Sequence, residues 1–216
     1  MFHGAQHGFL KGKSCLTNLL EALDDWTAAY DERRPQDVFY LDFQKAFDSV
    51  PHLRLIYKLE KYEIRGRVLK WIEAFLSERK QRVCINSSQS GFASVRSGVP
   101  QGSVLGPILF LLYINDLPTG VQSTIKIFAD DTKIYGDVSN HQQLQILQAD
   151  LERLCAWSRT WLLSFNEEKC KVMHLGLHNP RERYESRRKR SRGDHHPRFQ
   201  MGQSISKSSQ GRHMEC

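Results

Sequence analysis

The stretch Ile127-Phe128-Ala129-Asp130-Asp131 decides the fold, together with Phe39-Tyr40-Leu41-Asp42-Phe43 earlier in the chain. Each stretch places a carboxylate within or at the end of a short apolar run of strand-like composition. A carboxylate in such surroundings is costly unless a cation meets it. Carboxylate oxygens are ligands that Mg²⁺ prefers, often while it also holds substrate phosphates. If the two stretches are neighbouring strands, they form a two-metal site for phosphoryl transfer.

The pattern of the whole chain predicts an α+β domain. Short runs rich in β-branched and aromatic residues have the composition of strands: 37–43, 81–86, 92–96, 124–128, 132–136 and 171–175. Apolar residues at helical spacing predict helices at about 14–31 with Ser14 as N-cap, from His52, after Gly66 and at about 140–160. The continuous apolar run 104–114 favours a buried helix over a strand because of its length and its cap, Ser103. This order favours an antiparallel sheet with helices on one face, a polar turn at 87–91, and Asp130-Asp131 in a tight hairpin turn beside Asp42.

The net charge of +7 is concentrated near the C-terminus. Residues 177–216 contain ten Lys and Arg against four Asp and Glu, a net of +6, whereas residues 1–176 contain 21 against 20, a net of +1. We therefore predict a folded domain over 1–176 and a basic, disordered tail over 177–216. The cluster Arg187–Arg192 fits a nuclear signal or an RNA-binding tract, and equally unselected sequence. The nearly neutral domain gives no general charge argument for nucleic-acid binding.

Targeting signals are not visible in the sequence. No run of 18 apolar residues predicts a membrane span, and the first residues lack the apolar core of a signal peptide. The five cysteines are scattered without a C-x-x-C pair, and the histidines show no ligand spacing, so neither a zinc site nor a disulfide framework is expected. We expect a protein of the nucleus or cytoplasm that is not secreted and has no membrane partner. The oligomeric state stays open.

Five segments resemble, in order, motifs of reverse transcriptases, in particular those of jockey-like non-LTR retrotransposons. The segments are Gln6-His7-Gly8-Phe9-Leu10-Lys11-Gly12-Lys13-Ser14, Tyr40-Leu41-Asp42-Phe43-Gln44-Lys45-Ala46-Phe47-Asp48, Gly98-Val99-Pro100-Gln101-Gly102-Ser103-Val104-Leu105-Gly106-Pro107, Phe128-Ala129-Asp130-Asp131 and Asn166-Glu167-Glu168-Lys169-Cys170-Lys171. One such segment is unspecific, whereas five in the family's order are specific. The resemblance covers about residues 5–184 and implies the palm of a right-hand polymerase with partial fingers and no thumb.

The resemblance also implies a reaction and its residues. The chain would be an RNA-directed DNA polymerase acting on an RNA template, a DNA primer and deoxynucleoside triphosphates (dNTPs). Asp42, Asp130 and Asp131 would be the catalytic carboxylates that hold two Mg²⁺ ions, with Mn²⁺ as a substitute. Lys169 would be the catalytic cation near the leaving pyrophosphate, and Lys171 is the weaker candidate for that role.

Four further residues would bind the nucleotide. The backbone of Phe43 would face the metals, and the ring of Phe47 would exclude a 2′-hydroxyl by filling its place. Gln101 would line the nucleotide pocket, and Gly102 would let the backbone approach the template. Periodicity alone would make Phe47 a core residue, and a lone Asp in an apolar strand is more often structural. The combination of motifs favours the functional interpretation.

Other functions stay open beside the polymerase. One is a non-catalytic retrotransposon remnant that binds nucleic acid through its basic tail. Another palm enzyme, such as a nucleotide cyclase, is disfavoured because the Pro-Gln-Gly loop and Phe47 would have no role there. Asp48 and Asp116 are interpreted as structural. Since affinity for nucleic acid comes largely from phosphate neutralisation, we expect a chain with partial fingers and no thumb to be weakly active or inactive in isolation.

Overall fold

The computed structural model describes residues 2–182 and 184. In chain order the elements are α1 (Cys15–Asp31), β1 (Gln36–Leu41), α2 (Ala46–Ser49), α3 (His52–Lys61), α4 (Gly66–Leu76), β2 (Lys80–Gln81), β3 (Cys84–Ile85), β4 (Ser88–Gln89), β5 (Ala93–Ser94), α5 (Leu105–Ile114), β6 (Thr124–Phe128), β7 (Asp131–Asp137), α6 (His141–Trp161) and β8 (Lys171–Leu175). No helix in this described part is long and apolar enough to cross a membrane.

The centre of the molecule is a four-stranded antiparallel sheet in the order β6-β7-β1-β8. Its central strand β1 pairs with β7 on one side and with β8 on the other, and nearly all of its residues are buried. Successive side chains of a strand point to opposite faces, so β1 contributes to two apolar clusters. The predicted α+β architecture, with strand 37–43 beside the hairpin, is confirmed.

The larger cluster lies on the sheet face that carries Phe39 and Leu41. Helices α3 to α6 contribute their buried side chains to it, among them Leu55, Leu59, Ile72, Leu109, Phe110, Tyr113, Leu147 and Leu154. The predicted buried helix over 104–114 is α5, and most of its side chains are buried. The Ile108 side chain is 42% exposed, so this apolar helix lies in the interior with one part open to solvent.

Helix α1 lies on the opposite face of the sheet, so the prediction that all helices share one face is wrong for this helix. Its buried residues are Asn18, Ala22 and Ala29, and Ala22 lies in a second cluster with Val38 and Tyr135. The small alanine side chains let the helix approach the sheet closely. The leucines of the predicted amphipathic pattern are 44–58% exposed instead: Leu16, Leu19, Leu20 and Leu23. The predicted N-cap Ser14 is confirmed, because its hydroxyl accepts from the Thr17 amide.

Residues 80–94 differ from the two strands predicted for them. They form two short ladders, β2 with β5 and β3 with β4, and the turn lies at Asn86-Ser87 rather than at 87–91. Asn86 has a φ of 53°, a left-handed conformation that asparagine tolerates better than most residues. The side chains of both ladders are exposed. No buried face therefore fixes how the two predicted strands pair, and the predicted position of the turn is wrong.

The chain after β8 stays attached to the sheet. The buried carboxylate of Asp37 accepts hydrogen bonds from Asn179 Nδ2 at 2.7 Å and from the Tyr184 hydroxyl, and His174 Nδ1 lies 2.7 Å from it. The ring of Tyr184 packs edge-on against Phe39, with the ring centroids 4.7 Å apart. The folded domain thus includes residues beyond the predicted boundary at 176. The predicted disorder of the basic tail concerns mainly residues outside the described part.

Lys58 is a buried cation within the larger cluster. Its ammonium donates to the Tyr113 carbonyl and to Asp116, and the rings of Tyr113, Trp157 and Trp161 surround it at centroid distances of 3.8–4.8 Å. Burial lowers the pKa of Lys58 from 10.5 to about 8, although the hydrogen bond and charge of Asp116 act in the opposite direction. The structural interpretation of Asp116 agrees with these contacts.

The pH dependence of stability tests the burial of Lys58. Between pH 8 and 10.5, Lys58 binds more protons in the unfolded chain than in the folded chain. The contribution of Lys58 to the free energy of unfolding therefore rises with pH in this window, by up to about 3 kcal/mol. Lys58→Met lacks this group. In urea titrations, we expect the stability difference, wild type minus Lys58→Met, to grow across this window. The exposed Lys61→Met on the same helix is the matched control, and equal slopes for wild type and Lys58→Met would contradict the prediction.

Candidate active site

Antiparallel pairing of β1 with β7 brings the two acidic stretches together. Leu41 is paired with Thr132 at the end of the ladder. In an antiparallel pair, the residue after Leu41 lies across from the residue before Thr132, so Asp42 lies beside Asp131. The structure therefore brings together the carboxylates that the sequence predicted.

Asp130 is presented by a two-residue turn. Phe128 pairs with Asp131, which leaves Ala129 and Asp130 between the two strands. Asp131 is thus the first residue of β7 rather than part of the predicted turn. Ala129 has a φ of 54°, a left-handed conformation that is uncommon for a residue with a side chain. Such conformations persist where the surroundings hold them, and Ala129 is buried.

The carboxylates act on one another electrostatically. Burial raises the pKa of Asp130, and the negative charges of Asp131 and Asp42 raise it further, while a backbone hydrogen bond and the cation of Lys169 lower it. Lys169 Nζ lies 3.1 Å from Asp42 Oδ2. The Lys169 ammonium therefore offsets part of the repulsion among the carboxylates.

Backbone contacts bring Lys169 to the site. The Asn166 amide donates to the Asp42 carbonyl at 2.7 Å, and Phe43 forms an isolated antiparallel bridge with Phe165. These contacts fix the start of the segment that carries Lys169. Lys171 instead donates to the Glu168 carbonyl at 2.9 Å. Of the two lysines, Lys169 is the one that is paired with a site carboxylate, as the sequence analysis favoured.

Phe43 and Phe47, the two phenylalanines predicted to contact the nucleotide, each stack on another aromatic ring. Phe47 stacks on Phe110 with the centroids 4.4 Å apart, and Phe9 meets it edge-on at 6.3 Å. Phe43 is buried and stacks on Phe165 at 4.5 Å. Phe47 is partly buried against the core, so it combines the core role with a rigid position. Its role as a steric gate and that of the Phe43 backbone stay predictions.

The loop that contains Gln101 is docked on α2. Gln101 Nε2 donates to Asp48 Oδ1 at 2.8 Å, and the Val99 amide donates to the Phe47 carbonyl at 2.7 Å. Gly98 has a φ of 86°, and a Cβ there would lie 2.6 Å from Asp48 Cα, so only glycine fits this approach. The structural interpretation of Asp48 agrees with this contact, because Asp48 holds Gln101. Gly102 has a φ of 79°, so its backbone also favours glycine.

The carboxylates of Asp42 and Asp131 border a cleft of about 680 Å³ between the sheet and the start of α1. Its lining also includes Asn18, Tyr40, Lys133, Lys169 and Lys171. The cleft gives solvent and ligands access to the acidic end of β1. No sequence pattern indicated that α1 forms one of its walls.

The donor atoms at this site fit divalent cations. No group of three His, Cys, Asp or Glu side chains in residues 2–182 and 184 converges as a metal cage. Mg²⁺ does not require one, because it commonly binds one or two carboxylates and takes its other ligands from phosphates and water. Asp42, Asp130 and Asp131 supply hard oxygens. Burial and then the charges of Asp131 and Asp42 raise the pKa of Asp130, and a bound cation would offset both effects.

Gln6 is a site neighbour to which the sequence analysis gave no role. Its side-chain oxygen accepts hydrogen bonds from the amides of Gly8 and Ala129. Gln6 lies within the first recognised motif, which was the available signal. Its partner Ala129 is 123 residues away in sequence, so no local pattern predicts the contact.

Comparisons with known proteins agree with this geometry. Residues 1–208 match the family described as reverse transcriptase (RNA-dependent DNA polymerase). The "Probable RNA-directed DNA polymerase from transposon X-element" of Drosophila melanogaster is 31% identical over 170 residues, which cover 76% of this chain and 19% of that protein. The "RNA-directed DNA polymerase from mobile element jockey" of the same organism is 34% identical over 140 residues, covering 61% and 15%. The chain thus spans about a fifth of the length of the curated relatives it matches.

Solved structures of telomerase share the fold. The apo telomerase of Candida tropicalis truncated from its C-terminal domain has a TM-score of 0.55 and 11% identity, over 79% of this chain and 36% of that one. The same telomerase with a fragment of telomeric RNA has a TM-score of 0.51 and 12% identity, over 74% and 30%. At such low identity the likeness concerns the fold alone, and it confirms the predicted palm.

Asp130→Asn tests the electrostatic cost of the site. An acid with a raised pKa binds more protons in the folded state than in the unfolded state above its usual pKa of 3.8, so its ionisation lowers stability as pH rises. We expect the variant to melt at a higher temperature than wild type at about pH 7, with a difference that shrinks toward about pH 4. Thermal unfolding in metal-free buffer measures this. The exposed Asp24→Asn is the control, and a variant no more stable than wild type at neutral pH would contradict the prediction.

Proposed function

Because this chain belongs to the reverse transcriptase family, in its non-LTR retrotransposon branch, we propose that it works as an RNA-directed DNA polymerase domain. The observation that carries the proposal is the register of β1 on β7, which sets Asp42 beside Asp131 and next to the turn of Asp130. The reaction is the transfer of a deoxynucleotide from a dNTP to the 3′-hydroxyl of a primer paired with an RNA template.

The three carboxylates hold the metals in this proposal. Asp42 and Asp130 would hold two Mg²⁺ ions, for which Mn²⁺ would substitute, and Asp131 would support them from the start of β7. Such ions would supply the positive charge that lowers the pKa of the primer hydroxyl and stabilises the leaving pyrophosphate. The Lys169 ammonium pairs with Asp42 at 3.1 Å and its side chain is 67% exposed. In this proposal it turns to the triphosphate, where it either donates a proton to the leaving pyrophosphate or stabilises it by its positive charge.

Phe47 and Gln101 contact the incoming nucleotide in this proposal. Phe47, held between Phe110 and Phe9, blocks the 2′-hydroxyl of a ribonucleotide. Gln101, held by Asp48, contacts the incoming nucleotide, and Gly102 lets the loop backbone approach the template. A side chain that is fixed before binding loses little conformational entropy on binding, so the ring-packed Phe47 suits a selective pocket.

The ribbon 79–96 offers a surface for the single-stranded template. It carries Arg79, Lys80, Arg82 and Arg96 and no acidic residue. Phe92 is exposed, and the Arg82 guanidinium lies 4.8 Å from its ring centroid. Cations beside exposed aromatic rings bind single strands through phosphate contacts and base stacking. At its root, Arg79 donates to the Gly98 carbonyl at 3.2 Å, which connects the ribbon to the Gln101 loop.

Single-turnover primer extension tests the polymerase function. With the full chain in excess over a poly(rA)/oligo(dT) duplex at low salt, a weak grip on nucleic acid does not limit the reaction. We expect Mg²⁺-dependent addition of dTMP by wild type and a loss of roughly 100-fold or more in Asp42→Ala and Asp130→Ala. The exposed Asp24→Ala is the control. Equal extension by wild type and Asp130→Ala would refute the site, and extension by neither, with tail-only binding, would favour a non-catalytic remnant.

Salt titrations test the ribbon. In Lys80→Ala/Arg82→Ala we expect weaker binding of single-stranded RNA, with the slope of log affinity against log salt reduced by roughly 0.7 for each lost phosphate contact. Arg67→Ala/Lys70→Ala on the exposed side of α4 removes the same charge elsewhere and serves as the matched control. If both pairs weaken binding equally, the ribbon has no particular role.

A further inference from the structure

The segment before α1 extends the central sheet at β6. Gln6 forms a parallel bridge with Ile127, the His7 amide donates to the Ile127 carbonyl at 2.8 Å, and the Ile127 amide donates to the Ala5 carbonyl at 2.9 Å. This segment therefore lies along the strand that leads into the Asp130 turn. Its backbone pairs with β6, the first strand of the hairpin that carries Asp130.

The side chain of Gln6 joins the two segments. Gln6 is only 4% exposed, and its Oε1 accepts from the Gly8 amide at 2.7 Å and from the Ala129 amide at 3.0 Å. Without this oxygen, the buried Ala129 amide would lose the partner it has here, which is costly. One carboxamide oxygen thus satisfies an amide on each side of the contact.

The two segments also touch closely at Gly8. A Cβ at Gly8 would lie 2.4 Å from the Ala129 nitrogen, so any larger residue would push the turn away. Ala129 adopts its left-handed conformation at this contact, and this conformation is strained for a residue with a Cβ. Gly8 and Gln6 together enclose the residue that precedes Asp130.

We propose that Gln6 is a positioning residue for Asp130. By holding the Ala129 amide, its oxygen keeps the turn in the left-handed conformation and aims the Asp130 carboxylate at the cation shared with Asp42. Asp130 is repelled by Asp131 and Asp42, so a free turn would swing this carboxylate outward. The inference deepens the proposed function and rests on it for the identity of the cation.

Two substitutions separate the hydrogen bond from the bulk of the side chain. Gln6→Met keeps the length and removes the acceptor, whereas Gln6→Glu keeps an acceptor oxygen. Gln142→Met, on the exposed side of α6, is the matched control. Two measurements on the full chain report on them: amide hydrogen exchange at Ala129 by NMR, and the dissociation constant for Mn²⁺ without nucleic acid.

We expect the Ala129 amide of Gln6→Met to exchange about tenfold faster or more, and Mn²⁺ to bind about tenfold more weakly, while amides of α5 keep their protection. Gln6→Glu should restore the protection of the Ala129 amide to within about threefold of wild type, and Gln142→Met should match wild type in both values. Unchanged exchange at Ala129, or faster exchange with unchanged Mn²⁺ affinity, would overturn the inference.

The test also separates this inference from the proposed function. If wild type binds no Mn²⁺ without nucleic acid and also shows no Mg²⁺-dependent primer extension, the metal site is refuted, and exchange at Ala129 alone decides whether Gln6 holds the turn. If Gln6→Met does not fold, Gly8→Ala replaces it, because the added methyl group displaces the Ala129 nitrogen from the other side of the contact. Gly8→Ala should then weaken Mn²⁺ binding about tenfold, and wild-type affinity in a folded Gly8→Ala would count against the inference.

Discussion

The antiparallel pairing of β1 with β7 is the constraint on which the rest of the structure depends. It sets Leu41 across from Thr132 and therefore Asp42 beside Asp131. A shift of one residue would turn Phe39 and Leu41 out of the larger cluster and exchange the faces of the whole strand. Because both faces of β1 are buried, the core itself enforces the register that assembles the carboxylates.

This pairing brings like charges together, and other contacts reduce the resulting repulsion. Asp130 lies near two like charges, and burial adds to the rise in its pKa. Ala129 holds a strained conformation beside it. Lys169 reduces the repulsion from the β8 side, and Gln6 and Gly8 enclose the turn from the β6 side. The site is thus a strained, charged hairpin held by neighbours, which is typical of sites where stability is given up for function.

The sequence predicted the elements whose signal is local. The N-cap Ser14, the apolar helix α5 and the strands beside the Asp doublet all follow from residue type and spacing. The pattern failed where tertiary packing decides. Helix α1 buries Ala22 and Ala29 and leaves its leucines exposed, although the leucines are the more apolar residues. The turn at Asn86 formed because no buried face fixes the register of the exposed ribbon.

The sequence by itself identified the residues proposed to carry the chemistry, because its five segments resemble reverse transcriptase motifs in the order of that family. Only the tertiary structure decided how these residues are held. Asp48 supports Gln101 across 53 positions, and Gln6 supports Ala129 across 123. Such partners meet only when the strands pair and the loops dock on the sheet. Neither step produces a periodic pattern in the amino-acid sequence.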